Sequence, residues 1–249
     1  MINIILHGCK GRMGQAIISL INQSETLELV AGIDSNTDGK EPYPVFFRIE
    51  DCTTAGDVLI DFSHYSAVDG ILAYCIKKNI PAVIATTALG DPEHAAIQSA
   101  SQSIPVFNSF NMSIGINAIA SLMKMLVPLL ENDFNIEIVE KHHNMKKDSP
   151  SGTALLLADS INDACQIKKQ YIYGRNGSND DCKLTDLGIH SVRGGTIPGE
   201  HTIIFAGPDE VIEITHTALS RNIFANGALH AAEFMVTKEK GLYSMKDLI

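Results

Sequence analysis

The stretch Ile2-Asn3-Ile4-Ile5-Leu6-His7-Gly8-Cys9-Lys10-Gly11-Arg12-Met13-Gly14 decides the fold of the first half of the chain. It reads as an apolar strand over residues 2–6, a glycine-rich turn, and an amphipathic helix continuing to about residue 22. Glycines there permit a tight turn and let backbone N–H groups approach a pyrophosphate at the helix N-terminus. The spacing is G-x-x-G-x-x-G instead of G-x-G-x-x-G, so its setting carries the argument. Asp34 closes a second apolar run, residues 29–34, and stands 20 residues past Gly14. A carboxylate at that place accepts hydrogen bonds from adenosine ribose hydroxyls.

Outward from this turn, apolar runs at 58–62, 82–85 and 106–107 predict three more strands, with helical patterns at 66–78 and 92–103 between the later ones. Such alternation predicts a parallel, doubly wound sheet whose strands, buried on both faces, read as continuous hydrophobic runs. The pattern changes after Asn111. A long helix over 113–130 precedes an alternating strand, 134–140, a polar loop, and a helix starting near Ser151. Residues 171–186 are polar and carry Gly174 and Gly177, which predicts an irregular loop. Two alternating runs, 201–206 and 211–217, flank Gly207-Pro208-Asp209-Glu210 as an antiparallel hairpin. A last helix is expected over 224–240. The fold class is therefore α/β: a Rossmann-type parallel-sheet domain followed by an α+β domain with a mixed or antiparallel sheet.

Composition narrows the function. The 249 residues are 45% hydrophobic and 19% charged, with a formal net charge of -10. That core is ample, and a general nucleic-acid binder would need a basic face instead. The cysteines Cys9, Cys52, Cys75, Cys165 and Cys182 form no C-x-x-C pair, as expected of reduced thiols in the cytoplasm. The most apolar segment, 113–130, is interrupted by Asn117, Lys124 and Pro128, which reads as a buried helix and not a membrane span.

Against this acidic background, Glu137–Ala154 gathers His142, His143, Lys146 and Lys147. Local positive charge in a negative protein suits an anionic ligand. Adjacent residues on a strand face opposite ways, so His142 and His143 do not readily share an ion, and no metal is expected. General acid chemistry suits a histidine whose charge balance is tuned by neighbouring lysines. Ser149-Pro150-Ser151-Gly152-Thr153 reads as a helix start, where the Gly152 and Thr153 amides and the threonine hydroxyl can hold a carboxylate.

The order of three motifs resembles that of the 4-hydroxy-tetrahydrodipicolinate reductase (dihydrodipicolinate reductase) family. These are G-x-x-G-R-M-G at 8–14, E-x-H-H-x-x-K-x-D-x-P-S-G-T-A at 140–154, and V-R-x-G-x-x-x-G-E-H-T at 192–202. Ile60-Asp61-Phe62-Ser63, Thr86-Thr87, Asn111 with Ser113 and Gly115, and Ser220-Arg221 ahead of Phe224-Ala225-Asn226-Gly227 match as well. The resemblance implies His142 as catalytic acid, Lys146 as second proton donor or electrostatic partner, and His143, Gly152 and Thr153 as contacts to a dicarboxylate substrate. It implies a cofactor, NADH or NADPH, on Gly8, Cys9, Lys10, Gly11, Arg12, Met13, Asp34, Ala85, Thr86, Thr87, Ser109, Phe110, Asn111 and Met112. It also implies reduction of the cyclic substrate with loss of water, in lysine and diaminopimelate synthesis. A dinucleotide-binding domain over 1–112, completed by 221–249, would join a substrate and oligomerisation domain over 113–220. The family's form is a cytoplasmic homotetramer, with no nucleic-acid or membrane partner.

Three positions depart from the family pattern. Ser35 follows Asp34 where some members carry an arginine that favours a 2′-phosphate, so Asp34 and Ser35 favour NADH, and Lys10 is the opposing feature. Cys9-Lys10 occupies a place where small residues are common. His64-Tyr65-Ser66 follows Ser63 where an Arg-Pro pair often sits. Two other classes stay open on the residues alone: a two-domain dehydrogenase acting on an amino acid, and a non-catalytic dinucleotide sensor. The first has no use for His142-His143-x-x-Lys146 ahead of Pro150-Ser151-Gly152-Thr153, and the second would need a DNA-binding module for which the chain has no room.

Overall fold

In the computed structural model, which describes residues 1–37, 39–177 and 181–249, the chain divides into two compact units. Unit 1 is Met1–Ile114 with Arg221–Ile249, and unit 2 is Gly115–Ser220.

Unit 1 carries the strands β1 (Ile2–His7), β2 (Leu27–Ile33), β3 (Val45–Phe46), β4 (Val58–Asp61), β5 (Ala82–Ile84) and β6 (Pro105–Asn108). Its helices in this stretch are α1 (Arg12–Ile21), α2 (Val68–Lys78) and α3 (Asp91–Ala100). With β12 (Gly241–Tyr243) from the returning chain, the sheet order is β12-β6-β5-β4-β1-β2-β3, and every pairing is parallel. Strict alternation along the strands explains the two faces. Ile4, Leu6, Ile60, Val83 and Phe107 pack under α1 and α6 (Asn222–Met235), while Ile5, Leu59, Ile84 and Val106 pack under α2 and α3. The last helix stops at Met235, short of the expected residue 240, and a small helix, α7 (Met245–Leu248), follows β12.

Unit 2 consists of α4 (Ile114–Leu130), which starts at its boundary, then β7 (Asn135–His142), α5 (Gly152–Ala164), β8 (Gln170–Tyr173), β9 (Asp186–Arg193), β10 (Glu200–Ala206) and β11 (Val211–Thr217). Its sheet runs β11-β10-β7-β9-β8, antiparallel among β11, β10 and β7 and parallel among β7, β9 and β8. The expected mixed sheet is therefore present, and β10 and β11 form the expected hairpin. Residues 171–186 are not one irregular loop: residues 171–173 belong to β8 and Asp186 opens β9, with 178–180 outside the described residues. Ile136, Ile138, Leu187, Ile189, Ile203 and Phe205 bury one face of this sheet against α4 and α5.

Candidate functional site

Two clusters emerge, one in each unit. In unit 1 the turn from β1 to α1 lies where the chain order reverses, because β1 pairs with β2 on one side and β4 on the other. Ligands of open α/β sheets bind at such switch points, beyond the carboxyl ends of the strands. Gly8 has φ +81, and a Cβ there would stand 2.6 Å from the Phe62 carbonyl oxygen. Only glycine fits that approach. Gly11 is the N-cap of α1 and offers no side-chain cap, which leaves the helix start suited to phosphate oxygens. Asp34 follows β2, and its carboxylate accepts from the N–H groups of Lys10 at 2.9 Å and Asn36 at 2.9 Å. The Lys10 ammonium is paired with Glu41. Ala85, Thr86 and Thr87 follow β5, and Ser109, Phe110, Asn111 and Met112 follow β6, so all the expected nucleotide residues end parallel strands of one sheet.

Several of their side chains face inward. Cys9 is fully buried beside Gly32, and burial pushes its thiol up to about 11. Met112 is buried, with its carbonyl against Gly227 of α6. The Thr86 hydroxyl donates to the buried Asp61 carboxylate at 2.6 Å, which also accepts from the Ser63 hydroxyl at 2.6 Å. The side chains of Cys9, Thr86 and Met112 thus face the interior of unit 1. Phe110, by contrast, is 60% exposed.

In unit 2, β7 runs to His142 and α5 begins at Gly152, and the turns between them carry the basic residues. Glu140 and His142 are buried on the helix-covered face of β7. Glu140 accepts from Arg193 Nη1 and Nη2, both at 2.7 Å, from the Ser151 N–H at 3.0 Å, and pairs with His142 Nδ1 at 2.6 Å. Burial alone would raise this carboxyl, but the donors from Arg193, Ser191, His142 and Ser151 hold it at about 2. Burial lowers His142 below the usual 6.5; Glu140 works against that shift, while Lys146 and Arg193 add to it.

Ser151 caps α5 by accepting from the Ala154 N–H at 3.1 Å, and its hydroxyl also meets His201 Nε2 at 2.8 Å. Burial drives His201 down to about 4, so it is neutral at physiological pH. Lys146 Nζ lies 2.9 Å from Asp148 Oδ1. Burial would raise Asp148, yet Lys146 and the N–H groups of Asp148 and Gly152 hold it below the ordinary value. The Gly152 amide, read in the sequence as part of a carboxylate-holding helix start, contributes to that lowering. His143 is half-buried at the end of β7. A cavity of about 600 Å³ lined by Ser149, Pro150, Tyr173, Gly174, Ile189 and Ser191 shares this turn.

Unit 2 thus brings His142, His143, Lys146, Gly152 and Thr153 together within one β7–α5 connection. The sequence alone assigns no chemical role to Glu140, Asp148, Arg193 or His201, and gives Ser151 only a place at the helix start. Their signal was present, since all five lie in the two motifs at 140–154 and 192–202.

The description "Dihydrodipicolinate reductase, N-terminus" matches residues 2–112, and "Dihydrodipicolinate reductase, C-terminus" matches residues 115–249. The chain belongs to the dihydrodipicolinate reductase family. The 4-hydroxy-tetrahydrodipicolinate reductase of Caldanaerobacter subterraneus subsp. tengcongensis is 49% identical, covering 100% of this chain and 98% of the relative. That of Clostridium tetani is 48% identical, covering 98% and 96%. The dipicolinate-bound dihydrodipicolinate reductase from Paenisporosarcina sp. TG-14 superposes with a TM-score of 0.82 at 24% identity, over all of both chains. Aspartate dehydrogenase from Thermotoga maritima reaches 0.53 at 10% identity, covering 96% and 98%, a likeness of fold alone. As a dihydrodipicolinate reductase family member, the protein is an NAD(P)H-dependent oxidoreductase. The glycine cradle ahead of α1 fits such a nucleotide. No described helix is long and apolar enough to cross a membrane.

Proposed function

We propose that the protein reduces 4-hydroxy-tetrahydrodipicolinate to tetrahydrodipicolinate, with loss of the 4-hydroxyl as water, in lysine and diaminopimelate biosynthesis. The observation that carries this reading is the β7–α5 connection. It sets a buried histidine, a lysine and a helix N-terminus together in an acidic protein, an arrangement suited to a dicarboxylate that must gain a proton. Loss of the 4-hydroxyl with a proton from the adjacent ring carbon, as water, first leaves a conjugated enimine, and NAD(P)H, when bound, would supply the hydride to its C4. Electron density then moves through the conjugated ring and is met by a proton from His142, which Lys146 assists by fixed positive charge. One substrate carboxylate takes the Gly152 and Thr153 donors, and His143 contacts the ring substituents. The balance is one hydride and one proton gained and one water lost.

On the nucleotide side, Gly8–Met13 hold the pyrophosphate, Asp34 the adenosine ribose, and 85–87 with 109–112 the nicotinamide half. NADH is preferred, because Asp34 repels a 2′-phosphate and Lys10 is already neutralised by Glu41. The working form is a cytoplasmic homotetramer assembled through the face of the unit 2 sheet that α4 and α5 leave uncovered, with a small dicarboxylate as partner and neither nucleic acid nor membrane.

Purified protein mixed with NADH and the enzymatically made cyclic substrate should bleach the nicotinamide absorbance. Failure with both nucleotides, alongside turnover of an amino acid and NAD(P)⁺, would replace this reading with an amino-acid dehydrogenase. Light scattering near the monomer mass of 27.0 kDa would remove the tetramer.

A further inference from the structure

Glu140 is wholly buried, takes no part in the reaction as described, and collects donors from three separate stretches of chain. Its place is set by register. In β7 it stands two residues before His142 on the same face, with Ser191 beside it on β9, and His142 in turn stands beside Arg193. The two carboxylate oxygens divide the work. Oε2 takes Arg193 Nη1 and His142 Nδ1, while Oε1 takes Arg193 Nη2 and the Ser151 N–H. An ionised carboxylate only accepts, so the partner at 2.6 Å must be Nδ1 as a donor. The second imidazole nitrogen, Nε2, is left to gain and lose the proton, beside Gly199, where an added Cβ would stand 3.1 Å away.

The other oxygen does a different task. Ser151 is the N-cap of α5, so the hydrogen bond from its N–H fixes where the Gly152 and Thr153 amides begin. Arg193 extends the hold, donating to the Asp148 carbonyl at 2.7 Å. Its bidentate fork neutralises Glu140 without competing for the histidine.

We propose that Glu140 is the positioning residue of the reaction assigned above: one buried carboxylate fixes the His142 tautomer and, through Ser151, holds the carboxylate-binding start of α5 in register with that ring. The inference rests on the proposed reaction, and it adds a residue that acts through two others and touches no substrate itself. A buried group with this double duty cannot be replaced by its amide. In Glu140→Gln, whichever way the side chain turns, an NH₂ faces two donors. His142 can answer by moving its proton to Nε2 and accepting through Nδ1, which is the wrong tautomer for taking up a proton at Nε2.

The test combines ¹⁵N NMR of the histidines with kinetics on the full-length protein. In the wild type, Nδ1 of His142 should stay protonated across the titration while Nε2 gains and loses its proton. In Glu140→Gln the Nε2–H tautomer should appear, and kcat should fall about 10²- to 10⁴-fold, with NADH affinity within about twofold, since the nucleotide residues lie in unit 1. A merely structural Glu140 would lower the melting temperature and leave the tautomer unchanged; that result overturns the proposal. Should Glu140→Gln fail to fold, the wild-type titration decides, because a neutral His142 protonated at Nε2 refutes it outright. A wild type with the expected tautomer but no turnover of the cyclic substrate would refute the reaction and leave the hold on His142 standing.

Discussion

Replacing Gly152 by alanine separates a ligand-holding helix start from a merely structural one. A Cβ built at Gly152 has nothing within 4 Å, and Gly152 is the first residue of α5. The fold has no objection to the methyl group, and alanine is favoured over glycine in helical backbone by up to about 1 kcal/mol. Thermal stability should therefore hold or rise. In the proposed binding mode, however, a carboxylate on the Gly152 and Thr153 amides comes close to that methyl group. A methyl group there lengthens or removes at least one hydrogen bond to a charged group, worth about 1.5–3 kcal/mol. At about 1.4 kcal/mol per tenfold, pyridine-2,6-dicarboxylate should bind roughly 10- to 150-fold more weakly. Substrate KM should rise by more than kcat falls, because a carboxylate held alike in ground and transition states is uniform binding. Calorimetric titration of the inhibitor beside a melting curve makes the measurement. A Gly152→Ala protein that melts no lower and binds the dicarboxylate with unchanged affinity would refute the placement of the substrate on α5.

Three further outcomes are expected. His142 must be protonated to act as an acid and lies below 6.5, so kcat/KM should fall as pH rises through that lowered pKa. A bound dianion favours the imidazolium, so the corresponding limb of kcat should sit at higher pH, and His142→Gln should abolish both limbs. NADH should be used at least as well as NADPH, and Glu41→Gln, by releasing Lys10, should shift the ratio of kcat/KM values toward NADPH; a wild-type preference for NADPH beyond about tenfold would contradict the Asp34 assignment. Glu140 falls from 4.5 unfolded to about 2 folded, a depressed carboxyl whose stabilisation is present above pH 4.5 and lost as pH drops toward 2. That contribution is on the order of 3 kcal/mol, so urea midpoints should fall steeply through this window and level off in Glu140→Gln.

The sequence reading succeeded where burial leaves a continuous trace. Val58-Leu59-Ile60 is fully buried on both faces and reads as the parallel strand it is. It failed at β9, where Asp186-Leu187-Gly188-Ile189-His190 mixes charge, glycine and apolar residues. Leu187 and Ile189 face the helices, but Gly188 lies beneath the Glu137 carboxylate, so the outward face shows no ordinary alternation. β12 has three residues and exists by pairing with β6, more than a hundred positions earlier. The site divides in the same way. His142 and Lys146 announce themselves by composition, whereas the partnership of Glu140 with Arg193 spans 53 residues and depends on the β7–β9 register. The restraint on Lys10 escaped because Glu41 lies beyond the end of β2 in a segment with no periodicity to place it.

Unit 1 is discontinuous, and that has a consequence for synthesis. Ala225, Ala228, Ala231, Ala232 and Met235 of α6 line one face of its sheet together with Ile4, Leu6 and Val83. Until residues beyond Arg221 leave the ribosome, that face is covered by α1 alone, although all of its inner strands were made long before. Unit 2 is complete by Ser220. The half translated first is thus the half that matures last, and a nascent chain whose first 220 residues have emerged holds a finished unit 2 joined to a sheet that α6 has yet to seal, a ready client for chaperones that bind exposed apolar surface.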